Sequence, residues 1–282
     1  MSVVNISAPF LRVRNLAVTF PTKTSAFKAI DGISFDLARG EILALVGESG
    51  SGKSMTSLSV MQLLPEAAEM SGSVEIDGQD ISGLHRRHME DVRGAKIGMI
   101  FQEPMTSLNP VLTIERQMTE GLVRHKGMSR REASETARIC LADVGIPEPH
   151  RVLAQYPHQL SGGMRQRIMI AAALALRPGI LIADEPTTAL DVTIQSQVLD
   201  LLVDLKTRSG SGILLITHDI GVVAETADRV AVMRGGVILE TGSVDAVLGS
   251  PRHDYTKALL AAHLTVEKGL KQRQAKRDGA RS

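Results

Sequence analysis

Four short runs along this chain are apolar almost without a break: EILALV (41–46), KIGMIF (96–101), GILIAD (179–184) and GILLIT (212–217). Runs of that length, rich in Ile, Leu and Val, suit strands buried on both faces of a parallel sheet. LRVRNLAVTF (11–20) differs, alternating apolar with polar positions, and predicts a half-exposed strand near the N-terminus. Helical stretches lie between several of the buried runs, so the alternation reads as an α/β domain.

The middle of the chain, from about 106 to 159, has another rhythm. In SRREASETARICLADVG, Ser129 and Glu132 carry a capping-box pattern, and Ala133, Ala137, Cys140, Leu141 and Val144 share one helical face. Gly145 is placed to stop that helix. A helical subdomain inserted into the α/β core is the simplest organisation. After Gly242 a short helical extension is expected, ending in a basic, polar tail, EKGLKQRQAKRDGARS, that reads as a solvated terminus.

The first buried run leads into GESGSGKS, Gly47 to Ser54. Gly47, Gly50 and Gly52, with Glu48, Ser49 and Ser51 between them, let the backbone turn tightly and aim several N–H groups at phosphate oxygens. Lys53 supplies a point charge for the β- and γ-phosphates, and the Ser54 hydroxyl suits Mg²⁺. Strand, glycine loop and helix start in this order identify a nucleoside-triphosphate site.

GILIADEP sets Asp184 and Glu185 at the end of another buried strand, where ligands sit in open parallel sheets. Asp184 is suited to hold Mg²⁺, and Glu185 to polarise a water for attack on the γ-phosphate. A third feature, LSGGMRQR from Leu160, opens a helix: Ser161 is a good N-cap, and Gly162 and Gly163 leave backbone N–H groups uncovered. That is a second anion site at a helix N-terminus, in a chain with one phosphate loop.

Composition narrows the field. A net charge of +1 and 2% aromatic residues give no electrostatic or stacking reason to expect nucleic acid. The one cysteine, Cys140, rules out an internal disulfide and is expected in core packing. The start, MSVVNISAPF, does not read as a secretion signal, and no stretch approaches the ~20 apolar residues of a membrane helix. A membrane role would therefore run through partners.

Together these motifs resemble the ATP-binding subunit of ABC transporters. LSGGMRQ (160–166) is similar to that family's signature, GESGSGKS to its phosphate loop and ILIADEP to its hydrolysis strand. The resemblance implies a P-loop NTPase core over residues 1–245, with an N-terminal antiparallel β portion and a helical subdomain at about 106–165. The helical extension and basic tail then fill 246–282. It also implies roles: Gln102 in IFQEP senses the γ-phosphate and Mg²⁺, and His218 in ITHD is the switch histidine. Phe20 stacks on adenine, with Phe27 as the alternative. Ser161, Gly162, Gly163 and Gln166 act on a partner's ATP, and Asp191 in ALD belongs to a dimer-contact loop. ATP and Mg²⁺ are the implied cofactors. The implied partners are a second ATPase subunit, favoured as a homologue in a heterodimer, two transmembrane permeases and a solute-binding protein. The implied location is peripheral, on the cytoplasmic face of the cell inner membrane.

FQEPMTSLNPVLTIERQ, LLITHDIGVVAETADRVAVM and SPRHDYTKALLAAHL resemble the peptide and nickel importer branch, with Asp254 replacing a usual proline and Glu115 a frequent glycine. Longer members carry a cysteine-rich segment after the extension, and without one here no iron–sulfur cluster is implied. Di- or oligopeptides and nickel chelates remain open as solutes. The rival class is a soluble ATPase of the same superfamily acting in DNA repair or translation. The former generally inserts a long coiled coil or zinc modules and the latter usually carries two cassettes; neither pattern is present. An exporter half would bring fused membrane helices, and a kinase an acceptor-substrate module.

Overall fold

The computed structural model of the protein describes residues 9–21, 26–102, 107–188 and 190–262. The expected basic tail from 263 onward, and Ala189 of the expected dimer loop, lie outside them.

Two sheets organise the chain. The larger has six strands in the order β10-β9-β3-β8-β7-β6. In it β3 (Ile42–Val46), β6 (Ile97–Ile100), β7 (Ile180–Asp184), β8 (Gly212–Ile216) and β9 (Arg229–Arg234) are parallel, and β10 (Val237–Ser243) closes one edge as an antiparallel hairpin with β9. The all-apolar runs are thus parallel strands of this sheet: β3, β8 and β7 lie in its interior and β6 forms an edge. Their period-two geometry sends neighbouring side chains to opposite faces. Leu181 and Ala183 of β7 and Ile213 and Leu215 of β8 pack on one side, and Ile180, Ile182, Leu214 and Ile216 on the other. Covered on both faces, these strands hold apolar residues along their length, apart from Asp184 at the C-terminal end of β7.

The second sheet is antiparallel, with order β2-β1-β4-β5: β1 (Leu11–Pro21), β2 (Ala26–Leu37), β4 (Glu69–Ile76) and the short β5 (Gln79–Asp80). Leu11, Val13, Leu16 and Val18 of β1 join Ile30 and Ile33 of β2 and Val74 and Ile76 of β4 in the cluster that covers the first face of the parallel sheet. Helices α1 (Lys53–Val60) and α2 (Arg86–Val92) add Val60, Met89 and Val92 to the same cluster.

Helices cover the second face. They are α3 (Ile114–Lys126), α4 (Arg130–Asp143), α5 (Pro149–Leu153), α6 (Gly162–Ala175) and α7 (Val192–Ser209). The capping box at α4 is formed: the Glu132 N–H donates to Ser129 Oγ at 3.3 Å, and the Ser129 N–H to Glu132 Oε2 at 2.9 Å. Gly145 takes φ +68 just past the helix, a left-handed conformation that favours glycine. Ile114 and Met118 of α3 and Ala137 and Leu141 of α4 are continuous with Ile168–Ala171 of α6, Val198–Leu205 of α7 and the parallel strands. The helical lobe and the sheet therefore share one apolar cluster, with α6 passing between them. Cys140 packs partly buried against it, and burial first, then Asp143, pushes its thiol up to about 11, so it stays protonated at neutral pH.

Helices α8 (Ile220–Thr226) and α9 (Val244–Gly249), then a helical segment at 254–262, cover the β3–β9 end of the sheet, with Val223, Val247 and Tyr255 against Ala44, Val46 and Val232. Among the described residues no helix is long and apolar enough to cross a membrane.

Candidate active site

The chain leaves β3 at Gly47 with φ +156, and a Cβ there would run into the Met233 carbonyl of β9. At Gly52, φ is +104 and a Cβ would meet the Ala29 carbonyl at 2.7 Å. Both positions thus exclude side chains for reasons of space as well as conformation. Gly50, between them, differs: its φ of +77 is left-handed, but a Cβ there would meet open space. Gly52 is also the N-cap of α1, and no side chain caps that helix, so its leading N–H groups face the loop interior as an anion cradle.

Lys53 Nζ donates to the Gly47 carbonyl at 2.7 Å, to the Glu48 carbonyl at 2.8 Å and to Ser51 Oγ at 3.4 Å. The side chain is buried, and that burial pulls its pKa below the usual lysine value, against the opposing pull of Glu185 and Asp184. A poorly solvated ammonium gains most from an anionic ligand.

β7 delivers Asp184 to the same place. It is 2% exposed, and its oxygens accept the Ser54 hydroxyl at 3.3 Å and the Ser57 hydroxyl at 3.2 Å. Burial is the largest influence on its carboxyl and raises its pKa above the ordinary value. Ser57 was not anticipated from the sequence, although a position three residues past Ser54 on a helix shares its face.

Glu185 follows in the left-handed region at φ +50, unusual for a side chain with a Cβ and a mark of a site held by its surroundings. Its N–H is pinned to the Ile216 carbonyl of β8 at 2.9 Å. Its carboxylate is held from two sides: Thr188 Oγ1 donates to Oε2 at 3.0 Å, and His218 Nδ1 lies 2.8 Å from Oε1. His218 stands just past β8 with its side chain 65% exposed, so this pair forms at the mouth of the site. Thr188 is a second residue the sequence reading missed; its offset of three from Glu185 was the available signal.

A cleft of about 710 Å³ joins these groups, lined among others by Phe20, Lys53, Ser54, Gln102, Glu185 and His218. Of the phosphate loop, Ser49, Gly50 and Gly52 also line it, whereas Gly47 and Glu48 border a neighbouring cavity and Ser51 is buried. The loop expected as one cradle therefore divides into residues that face the cleft and residues that brace it. Phe27 and Thr188 are also part of the lining. Phe20 and Phe27 are cross-strand partners in the β1–β2 hairpin; Phe20 packs partly buried against the core, and Phe27 is 61% exposed. Gln102 is exposed just beyond β6. The paired hard oxygens of Ser54 and Asp184 suit a small divalent cation that takes its remaining ligands from phosphate and water. No group of three or more His, Cys, Asp or Glu side chains gathers for a metal among the described residues.

The second anion site is built as expected locally but lies apart from the cleft. Ser161 caps α6, its Oγ accepting the Met164 N–H at 3.3 Å, and a Cβ on Gly162 or Gly163 would meet open space. None of the three lines the cleft. Gln166, expected to act with them on a partner's ATP, is placed differently within this chain. One turn further into the helix, it is 2% exposed and donates through Nε2 to the Pro186 carbonyl at 2.9 Å. It therefore ties the signature helix to the segment carrying Glu185. Asp191 caps α7, accepting the Ile194 N–H at 3.0 Å, and its other oxygen lies 3.4 Å from Arg167.

A sequence model of the family described as "ABC transporter" matches residues 30–188. Among curated proteins, the chain is 55% identical over 256 residues to the "Peptidoglycan transport ATP-binding protein YejF" of Agrobacterium fabrum, covering 90% of this chain and 47% of that protein. It is 51% identical over 259 residues to the "Oligopeptide transport ATP-binding protein OppD" of Bacillus subtilis, covering 91% of this chain and 72% of the relative. The chain thus spans about half the length of the first and about three quarters of the second. Among solved structures, a dimeric post-hydrolysis state of the ATP-binding cassette MJ0796, bound to ADP and Pi, superposes with a TM-score of 0.75 at 30% identity. That likeness covers 83% of this chain and 98% of the other. With the phosphate loop, the Asp184–Glu185 pair and the separate signature helix in place, this chain belongs to the ABC transporter family as one of its ATP-hydrolysing cassettes.

Proposed function

We propose that this cassette powers a peptide importer. Two cassettes pair head to tail, so that each ATP is enclosed between the phosphate loop of one and Ser161–Gly163 of the other. The observation that carries the pairing is the separation of two anion sites in one chain: the cleft around Lys53 and the N-terminus of α6, which does not line it.

The chain's own residues divide the work. Within Gly47 to Ser54, the residues facing the cleft contact the phosphates and the others brace the loop, with Lys53 leaving its loop carbonyls for phosphate oxygens. Phe20, already braced against the core, offers a ring that loses little freedom on stacking with adenine. Ser54, Asp184 and Gln102 would hold Mg²⁺, which neutralises charge developing on the phosphates. Glu185 accepts a proton from the attacking water, and His218 and Thr188 hold its carboxylate in line. Gln166 and α6 pass the state of the Glu185 segment to the helical lobe, which shares its core with the sheet.

The solute class follows from relatives named for oligopeptide and dipeptide transport, both in Bacillus subtilis. The partners in this reading are a homologous second ATPase, two permeases and a solute-binding protein, with the cassette on the cytoplasmic face of the inner membrane. The test is ATP hydrolysis by the assembled complex in lipid while solute-binding protein is titrated, loaded with a dipeptide or with a nickel chelate. Stimulation by the dipeptide-loaded form alone is expected; stimulation by the nickel chelate alone would reassign the solute, and none by either would remove the importer reading.

A further inference from the structure

The helical segment at 254–262 reaches the phosphate loop from outside the nucleotide cleft. Tyr255 is 6% exposed, packed with Ala44 and Val46 of β3 and Val232 of β9. Its hydroxyl oxygen accepts the Glu48 N–H at 3.2 Å, and the Arg234 guanidinium lies 4.7 Å over its ring. Glu48 belongs to the peptide pair that positions the lysine: the Gly47 and Glu48 carbonyls are the acceptors of Lys53 Nζ at 2.7 and 2.8 Å. Tyr255 thus holds the N–H of a residue whose carbonyl holds the phosphate-directed ammonium.

The segment is also fixed at its root. The Glu240 carboxylate of β10 accepts the Arg252 N–H at 2.8 Å and the His253 N–H at 3.1 Å, just ahead of Tyr255. Beyond the tyrosine, a cavity of about 660 Å³ separates the segment from the loop, bounded by Glu48, His218, Arg234, Tyr255 and Leu259 on its walls.

We propose that Tyr255 is a positioning residue for the nucleotide site, fixing the first turn of the phosphate loop so that the C-terminal segment sets the affinity for ATP. The inference rests on reading the loop as the ATP cradle. A loop whose Glu48 peptide is held in advance does not lose that freedom on binding, and the saving appears in affinity rather than in the chemical step. Burial raises the phenol above its ordinary pKa, so the hydroxyl stays neutral and the contact persists through physiological pH.

Tyr255→Phe removes one oxygen and keeps the ring, its packing and the Arg234 contact. In the full-length chain with its partner subunits, the KM for ATP and the Kd for a fluorescent ATP analogue are expected to rise about three- to tenfold, with kcat within about twofold. The melting temperature of the nucleotide-free protein reports folding separately. Unchanged KM and Kd would overturn the proposal, whether or not the melting temperature falls, because packing alone would then be the residue's role. A rise matched by an equal loss of kcat would also overturn it. Wild-type protein that fails to bind MgATP would instead sink the nucleotide reading on which the proposal rests.

Discussion

His218 Nδ1 lies 2.8 Å from Glu185 Oε1, while the opposite oxygen of that carboxylate accepts the Thr188 hydroxyl at 3.0 Å. Together with the left-handed backbone at Glu185, the two contacts leave the carboxylate one direction in which to point. His218→Ala releases one of them and keeps the charge. A misplaced base costs about 10²-fold in rate, so kcat for ATP hydrolysis is expected to fall by about that factor with KM near wild type. Steady-state ATPase assays read both, and an unchanged kcat would remove His218 from the positioning role.

Asp184 links stability to function with opposite signs. Burial raises its carboxyl above the ordinary value of 3.8, so the folded chain holds a proton there more tightly than the unfolded chain. That stabilisation is complete below the unfolded value and is lost as pH rises through the folded one. Once pH has risen through the folded value, the buried, ionised carboxylate opposes folding of the nucleotide-free protein. Asp184→Asn should raise its melting temperature by about 2–4 °C while abolishing the further stabilisation that MgATP gives the wild type. Melting curves with and without MgATP test both halves, and a lowered nucleotide-free melting temperature would contradict the account.

Ser161 stands at the exposed start of α6, where an added side chain meets no neighbour within the chain at the adjoining glycines. Ser161→Arg gives up the cap bond to the Met164 N–H, a cost of about 1 kcal/mol, and is expected to leave the chain folded with its own phosphate loop intact. In mixed pairs with distinguishable subunits, ATP occlusion should be lost by at least about tenfold at the partner's phosphate loop and kept at the variant's own. Loss at the variant's own loop would contradict head-to-tail pairing.

The parts legible in the sequence are those whose signals are local. The all-apolar runs became β3, β6, β7 and β8 because strands covered on both faces draw apolar side chains to both. The Ser129–Glu132 box and Gly145 bounded α4 because caps act within a few residues. The antiparallel sheet was less visible beyond β1. Its pairing breaks register three times between β1 and β2, and Asn15 turns to φ +48 within β1, so the apolar alternation slips along the strand. Nor did the sequence reveal that Gln166 faces inward or that Tyr255 reaches Glu48. Those contacts join residues 20 and 207 positions apart, and the packing of α6 and of the C-terminal segment decides them.

In the proposed cycle Glu185 performs the hydrolytic step at an ATP enclosed between two cassettes. The direct measurement is Glu185→Gln, which keeps the shape of the side chain and removes its basicity. Hydrolysis should fall by about 10²–10⁴-fold while ATP stays bound and the pair stays closed, seen as an ATP-dependent dimer in size-exclusion chromatography. A variant that hydrolyses ATP at the wild-type rate, or one that loses the ATP-dependent dimer along with activity, would contradict it.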